Sequence, residues 1–281
     1  MADFRIWTMR GPVNGSAALR RTPVAAALLG LALLPAGPAA AVDHNNVDAH
    51  RPLSFDDAET LAFREQALEF GLRLGSPRHR PLGVEFEGEY LYGFARNSHA
   101  AIGFSPSVGG RAGAERTSFD LGDVSLGVLH NFNRQYHGTP ALSLRGDVFL
   151  PGGSDSRGAA MRLRGIASKQ AGQYGRLHLN VDLNAHAGAP AGQRDLYPGV
   201  VLGFTHPLGY PTRFDTTGLA EIGFQGSANR GQGGVVTAGL GLRRQVSVRS
   251  VVDVGIQADL VSVDGAPRDR LRLVAGYSVG F

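Results

Sequence analysis

The sequence predicts an all-β chain closed into a membrane-spanning barrel, and three observations predict it. Apolar and polar residues alternate through about twelve successive segments after residue 64, the period of a strand with one apolar face. The segments run to roughly 9–13 residues, beyond the usual five or six and suited to a tilted bilayer crossing. Ahead of them stands a stretch laid out like a secretory signal.

That stretch has Arg20 and Arg21, then an apolar run, then Ala39-Ala40-Ala41 in the A-x-A cleavage pattern. Pro35 and Pro38 argue against a membrane-anchor helix in its place. Residues 1–41 are therefore expected to be a removed signal, with Met9 a candidate start and the mature chain beginning near Val42. Residues 42–63 lack periodicity and are expected to form a periplasmic lead-in with one helical turn capped at Ser54. Asp56 and Asp57 would then be helix-dipole partners, and the same lead-in could alternatively fold inward as a plug.

From 64 to 281 the alternation is nearly unbroken. Val84, Phe86, Tyr90 and Tyr92 alternate with Glu85, Glu87 and Glu89; Leu177, Leu179, Val181 and Leu183 alternate with His178, Asn180 and Asp182. Turn-rich pieces such as PGGSDSRG and GSANRGQGG separate the runs. The 40 glycines are about twice the usual share of roughly 7%, which suits packed strands and turns. The closing stretch places Leu271, Leu273, Ala275, Tyr277, Val279 and Phe281 on one face. Tyr277, Val279 and Phe281 are expected to be the insertion signal read by the barrel-assembly machinery. A soluble sandwich would bury its apolar face, whereas an outer-membrane barrel turns it to lipid and lines its lumen with the polar face. The signal, the even strand count and the terminal strand favour the up-and-down barrel in a bacterial outer membrane, with lipid as its partner.

The charge pattern excludes nucleic acid. Past residue 41 there are 24 basic and 23 acidic groups, interspersed, and Lys169 is the single lysine. With no cysteine there is no thiolate site, the histidines are scattered, and no cofactor or metal is implied.

RPLSFDDAET at 51–60, LGDVSLGV at 121–128, ALSLRGDVFLPGG at 141–153, LHLNVDLN at 177–184, GLAEIGF at 218–224 and APRDRLRLVAGYSVGF at 266–281 resemble the outer-membrane family named for the MetA pathway of phenol degradation, also described as transporters. The likeness extends over nearly the whole mature chain in short, degenerate motifs, with Gly152 standing where a threonine is common. It implies a barrel passing small hydrophobic or aromatic compounds and supplies no catalytic residues.

The polar face nominates the lumen: Arg73, Glu85, Glu87, Glu89, Arg145, Asp147, Arg162, Arg164, His178, Asp182, Glu221, Arg243, Asp253, Asp259 and Arg272. Arg145, Arg162 and Arg164 would form a basic rung opposite the acidic second strand, orienting polar solutes, or would simply pair to fill a narrow bore. The expected function is passive or facilitated uptake of small molecules. The alternatives are a plugged structural barrel and a membrane lipid hydrolase. The last lacks support, because no G-x-S-x-G elbow is present and neither His130 nor His178 sits in a catalytic motif.

Overall fold

The computed structural model describes residues 51–77, 82–109, 119–152, 158–187, 189, 191–213 and 215–281. The expected signal, residues 42–50 and Phe214 lie outside them.

Twelve antiparallel strands follow in order: β1 (Gln66–Pro77), β2 (Gly83–Ala95), β3 (Ser98–Phe104, resumed over Ser107–Gly109), β4 (Val124–Asn133), β5 (Ala141–Leu150) and β6 (Ala160–Ala171). Then come β7 (Gly175–His186), β8 (Leu196–Pro207), β9 (Thr216–Gly226), β10 (Gly234–Ser247), β11 (Ser250–Val263) and β12 (Asp269–Gly280). The two parts of β3 keep one register against β2, through Gly88↔Phe104 and Glu85↔Ser107. Between them Pro106 offers its carbonyl to the Phe86 amide at 2.9 Å, so a residue with no N–H of its own does not break the wall. Each strand pairs with its neighbours in sequence, and β1 pairs with both β2 and β12. The sheet therefore closes and leaves no edge.

The apolar face points outward. Leu72, Ile102, Leu126, Leu144, Leu163, Leu179, Leu202, Ile222, Leu242, Val254 and Leu273 are exposed, while Arg145, Asp147, Arg164, His178, Asp182, Arg243 and Asp253 are buried. This is the inverse of a soluble sandwich and the pattern of a transmembrane barrel.

One end carries short turns. Arg96-Asn97 joins β2 to β3 with Asn97 at φ 60°, a left-handed conformation that asparagine tolerates; Val248-Arg249 joins β10 to β11. The strand ends that flank the longer connections, Gly109, Val124, His186 and Leu196 among them, are at the other end. β1 begins and β12 finishes at the short-turn end, where Gln66 and Phe281 exchange backbone bonds of 3.0 and 3.3 Å.

The lead-in corrects one expectation. From Arg51 to Leu61 it forms no helical turn at Ser54 but lies inside the barrel, with Leu53, Phe55, Asp57 and Ala58 at 0% exposure. Asp56 and Asp57 are therefore not helix-dipole partners. The reason is packing: Leu53, Phe55, Ala58 and Leu61 have no helical partner to bury against and find apolar side chains on the inner wall instead. Leu53 and Phe55 pack with Leu219 and Val201; Ala58 with Leu129, Ala141 and Ile166; Leu61 with Ala67, Leu91 and Ala101. Fully burying a side chain the size of Leu53 or Phe55 contributes about 1.5–3 kcal/mol.

Candidate functional site

The lumen segment curls around the inner wall, and nearly every strand contributes a side chain to hold it. The Leu61 amide donates to His99 Nδ1 at 3.3 Å, and the Ala58 amide to Ser168 Oγ at 2.9 Å. The Ala58 carbonyl accepts from Asn131 Nδ2 at 2.7 Å and Ser143 Oγ at 2.5 Å. Asp56 bonds Asn180 through its backbone and Arg164 through its carboxylate. The Ser54 amide donates to Glu221 Oε2 at 2.7 Å, and the Arg51 carbonyl accepts from Arg243 at 3.0 Å. Arg51 itself donates to the Phe70 carbonyl and to Glu69. Burial works against the Arg51 charge, but Glu69, then Asp253, outweigh it and hold its pKa above the ordinary value.

A seat for this segment is cut into the wall by glycines that face inward. A Cβ at Gly71 would lie 2.7 Å from Arg51 Cδ, one at Gly241 2.7 Å from Pro52 Cγ, and one at Gly239 2.9 Å from Leu53 Cδ2. At Gly203 it would overlap the Phe55 ring. Phe55 stacks on His178 with centroids 5.2 Å apart. His178 in turn bridges Ser168 at 2.9 Å and Thr205 at 3.2 Å.

Two joined chambers of about 480 and 400 Å³ lie on the long-loop side of the segment. They share Ser54, Arg73, Glu85 and Gln225, and Arg51 belongs to the floor of the larger. Their walls carry most of the polar residues that the alternation nominates. Glu85 and Glu87 face Arg73 at 3.9 and 3.2 Å. Arg145 reaches Glu89 and Asp147, each at 2.9 Å. Arg162 meets Asp147 at 2.8 Å, and Arg164 lies between Asp182 at 2.6 Å and Asp56 at 3.0 Å. Arg272 meets Asp259 at 2.7 Å and Asp269 at 3.3 Å. Deeper in, Arg243 pairs with Asp253 at 3.4 Å, and Glu221 accepts from Gln257 at 2.7 Å.

The expected basic rung is built differently. Arg145 and Arg164 are direct cross-strand partners, as are Asp147 and Arg162. Like charges directly opposite one another destabilise a sheet, so carboxylates interleave the three arginines and no basic surface results. Arg145 does reach the acidic second strand, passing over β3 and β4 where Gly103 and Gly127 present no side chain. Sequence reasoning missed the seat itself, with Asn131, Ser143, Ser168 and Asn180, and the apolar inner residues Leu91, Leu129, Ile166 and Leu219. The available signal was their phase, since each falls among the polar positions of its strand.

Tyr277 points outward and is exposed, while Val279 and Phe281 are half-buried at the short-turn end.

A closed twelve-stranded barrel with an apolar exterior and a charged interior has the outer-membrane barrel fold. Among solved structures it is similar to the COG4313 outer membrane channel from Pseudomonas putida F1, at 14% identity and a TM-score of 0.62, covering 80% of this chain and 98% of that one. It is also similar to the NanC porin, at 11% identity and a TM-score of 0.52, covering 76% and 98%. No family model matches the chain, and no curated protein matches it.

Proposed function

We propose that the protein is an outer-membrane channel through which small solutes move passively or by facilitated diffusion. The observation that carries the reading is the pair of joined polar chambers inside a closed, lipid-facing barrel. Outer-membrane barrels keep short turns on the periplasmic side, so on this reading the chambers form an outer vestibule and residues 51–61 narrow the inner half. The named channel and porin of similar fold support this reading. So does the resemblance to the phenol-degradation family, which adds hydrophobic and aromatic compounds to the candidate solutes. Export would rest on residues 1–41 as a signal, and insertion on recognition of Tyr277, Val279 and Phe281 by the assembly machinery. A hydrolytic role is not supported by the described residues: Ser168 and His178 form a bonded pair, but Phe55 covers the imidazole and its second nitrogen faces Thr205 rather than a carboxylate.

One observation favours a second reading, a barrel with a structural role, namely the complete burial of Leu53, Phe55 and Ala58 in the lumen. Osmotic swelling of proteoliposomes separates the two. The channel reading expects the mature chain, 42–281, to admit small sugars and amino acids at rates that fall with solute size. No swelling by the native barrel or by a variant with an unseated lumen segment would refute it.

A further inference from the structure

We propose that the outer wall over β8 to β11 holds one anionic glycerophospholipid of the inner leaflet, with an acyl chain in a groove at Gly218 and Ala220 and the phosphate at Arg213 and Arg244. The inference needs only the outer-membrane barrel and goes beyond the channel reading. The groove has a volume of about 590 Å³, within the range of small-ligand sites. Its cause is local. On the lipid-facing side of β9, Gly218 and Ala220 pair with His206 and Phe204 of β8 and with Leu242 and Leu240 of β10. Four larger side chains thus stand over two small ones, and the groove reaches Val254 on β11.

The groove has a basic end. β8 passes into β9 through 208–215 at the short-turn end, and Gly218 is the third residue of β9. Two residues beyond Leu242 on the same face stands Arg244, opposite Thr216. Its side chain is 61% exposed, and its Nε donates to Asp215 at 3.2 Å. Arg213 is exposed on the connecting loop, and Leu208 adds an apolar edge beside Gly218. Tyr210 of that loop packs on Tyr174 with ring centroids 4.0 Å apart, and tyrosines gather at headgroup level. Short turns face the periplasm in barrels of this kind, which puts this rim in the inner leaflet. Arginine forks suit phosphate oxygens, and basic residues at a membrane surface attract anionic headgroups. A methylene chain leading from that phosphate past Leu242 and Leu240 gains the dispersion contacts that Gly218 and Ala220 leave unfilled. The pairing of an apolar groove with guanidiniums at its interfacial end is the shape and charge of a lipid with one phosphate.

The test is native mass spectrometry of the mature barrel in detergent, with dioleoyl phosphatidylglycerol, dioleoyl phosphatidylcholine and dioleoylglycerol as probes at equal concentration. One phosphatidylglycerol should stay bound under activation that strips the other two. Arg213→Gln with Arg244→Gln should lower its retention by roughly fivefold for each arginine removed, the scale of one basic residue at an anionic surface. Ala220→Leu fills the groove from the lipid side and should abolish the preference with both arginines in place; either variant suffices should the other fail to fold. Glycerol phosphate, which carries the phosphate without the chain, should not compete. Equal retention of the three lipids overturns the proposal, and so does full retention in the folded variants. Competition by glycerol phosphate would show a phosphate site without a groove and overturns it too. A dimer whose second copy covers this face in place of lipid does the same. The channel reading stands or falls separately, by solute flux.

Discussion

Replacing Gly203 with valine should unseat the lumen segment while leaving its strand intact. Gly203 faces inward from β8, and any Cβ there enters the space of the Phe55 ring. Valine is favoured in strands over glycine, so the wall has no intrinsic reason to fail. Phe55 is at 0% exposure, and burying such a side chain is worth about 1.5–3 kcal/mol. The stack on His178 adds about 0.5–1.5 kcal/mol. Losing both removes about 2–4.5 kcal/mol, a shift of roughly 30- to 1,600-fold in the seated-to-released ratio. The anchors Arg51–Glu69 and Asp56–Arg164 remain, so the segment loosens first around Phe55. Chymotrypsin on the folded barrel reads this directly, with cleavage after Phe55 identified by mass spectrometry. The native chain should resist and Gly203→Val should be cut, with larger single-channel conductance. A folded Gly203→Val barrel as resistant as the native one would refute the seating argument.

Two further outcomes follow from the same geometry. Arg164→Ala leaves Asp56 and Asp182 buried without their shared guanidinium, and such a loss typically costs 3–5 kcal/mol; the unfolding midpoint in urea should fall accordingly, whereas Arg164→Lys should recover part of it. Deleting Phe281 removes the backbone pair with Gln66 and the proposed recognition residue together. Assembled barrel in outer-membrane fractions should drop several-fold, and refolding into detergent should drop less.

Most of the wall was legible because a strand's period of two survives in sequence when one face meets lipid. Leu177 to Asn184 show it without interruption, and so does Leu271 to Phe281. The pairing inside was less legible, since contact between Arg145 and Glu89 depends on Gly103 and Gly127 on the intervening strands. Alternation places side chains on a face but does not say what reaches across it. The seat was hidden for another reason. Leu91, Leu129 and Leu219 look like ordinary strand residues until their phase is compared with their neighbours, and inward glycines such as Gly203 read as packing or turn residues. In RPLSFDDAETLAF the spacing of Leu53, Phe55, Ala58 and Leu61 fits neither period. An irregular segment bound through its backbone amides and carbonyls leaves no periodic trace.

Hydrogen exchange of the folded native barrel, followed peptide by peptide, tests the central claim that residues 51–61 occupy the lumen. The amides of Ser54, Asp56, Ala58 and Leu61 donate to buried wall side chains, and protection of this kind tracks the free energy of local opening. The account predicts exchange in this segment slowed toward that of the strands. Complete exchange within seconds, while β1 to β12 stay protected, would show a free tail and contradict it.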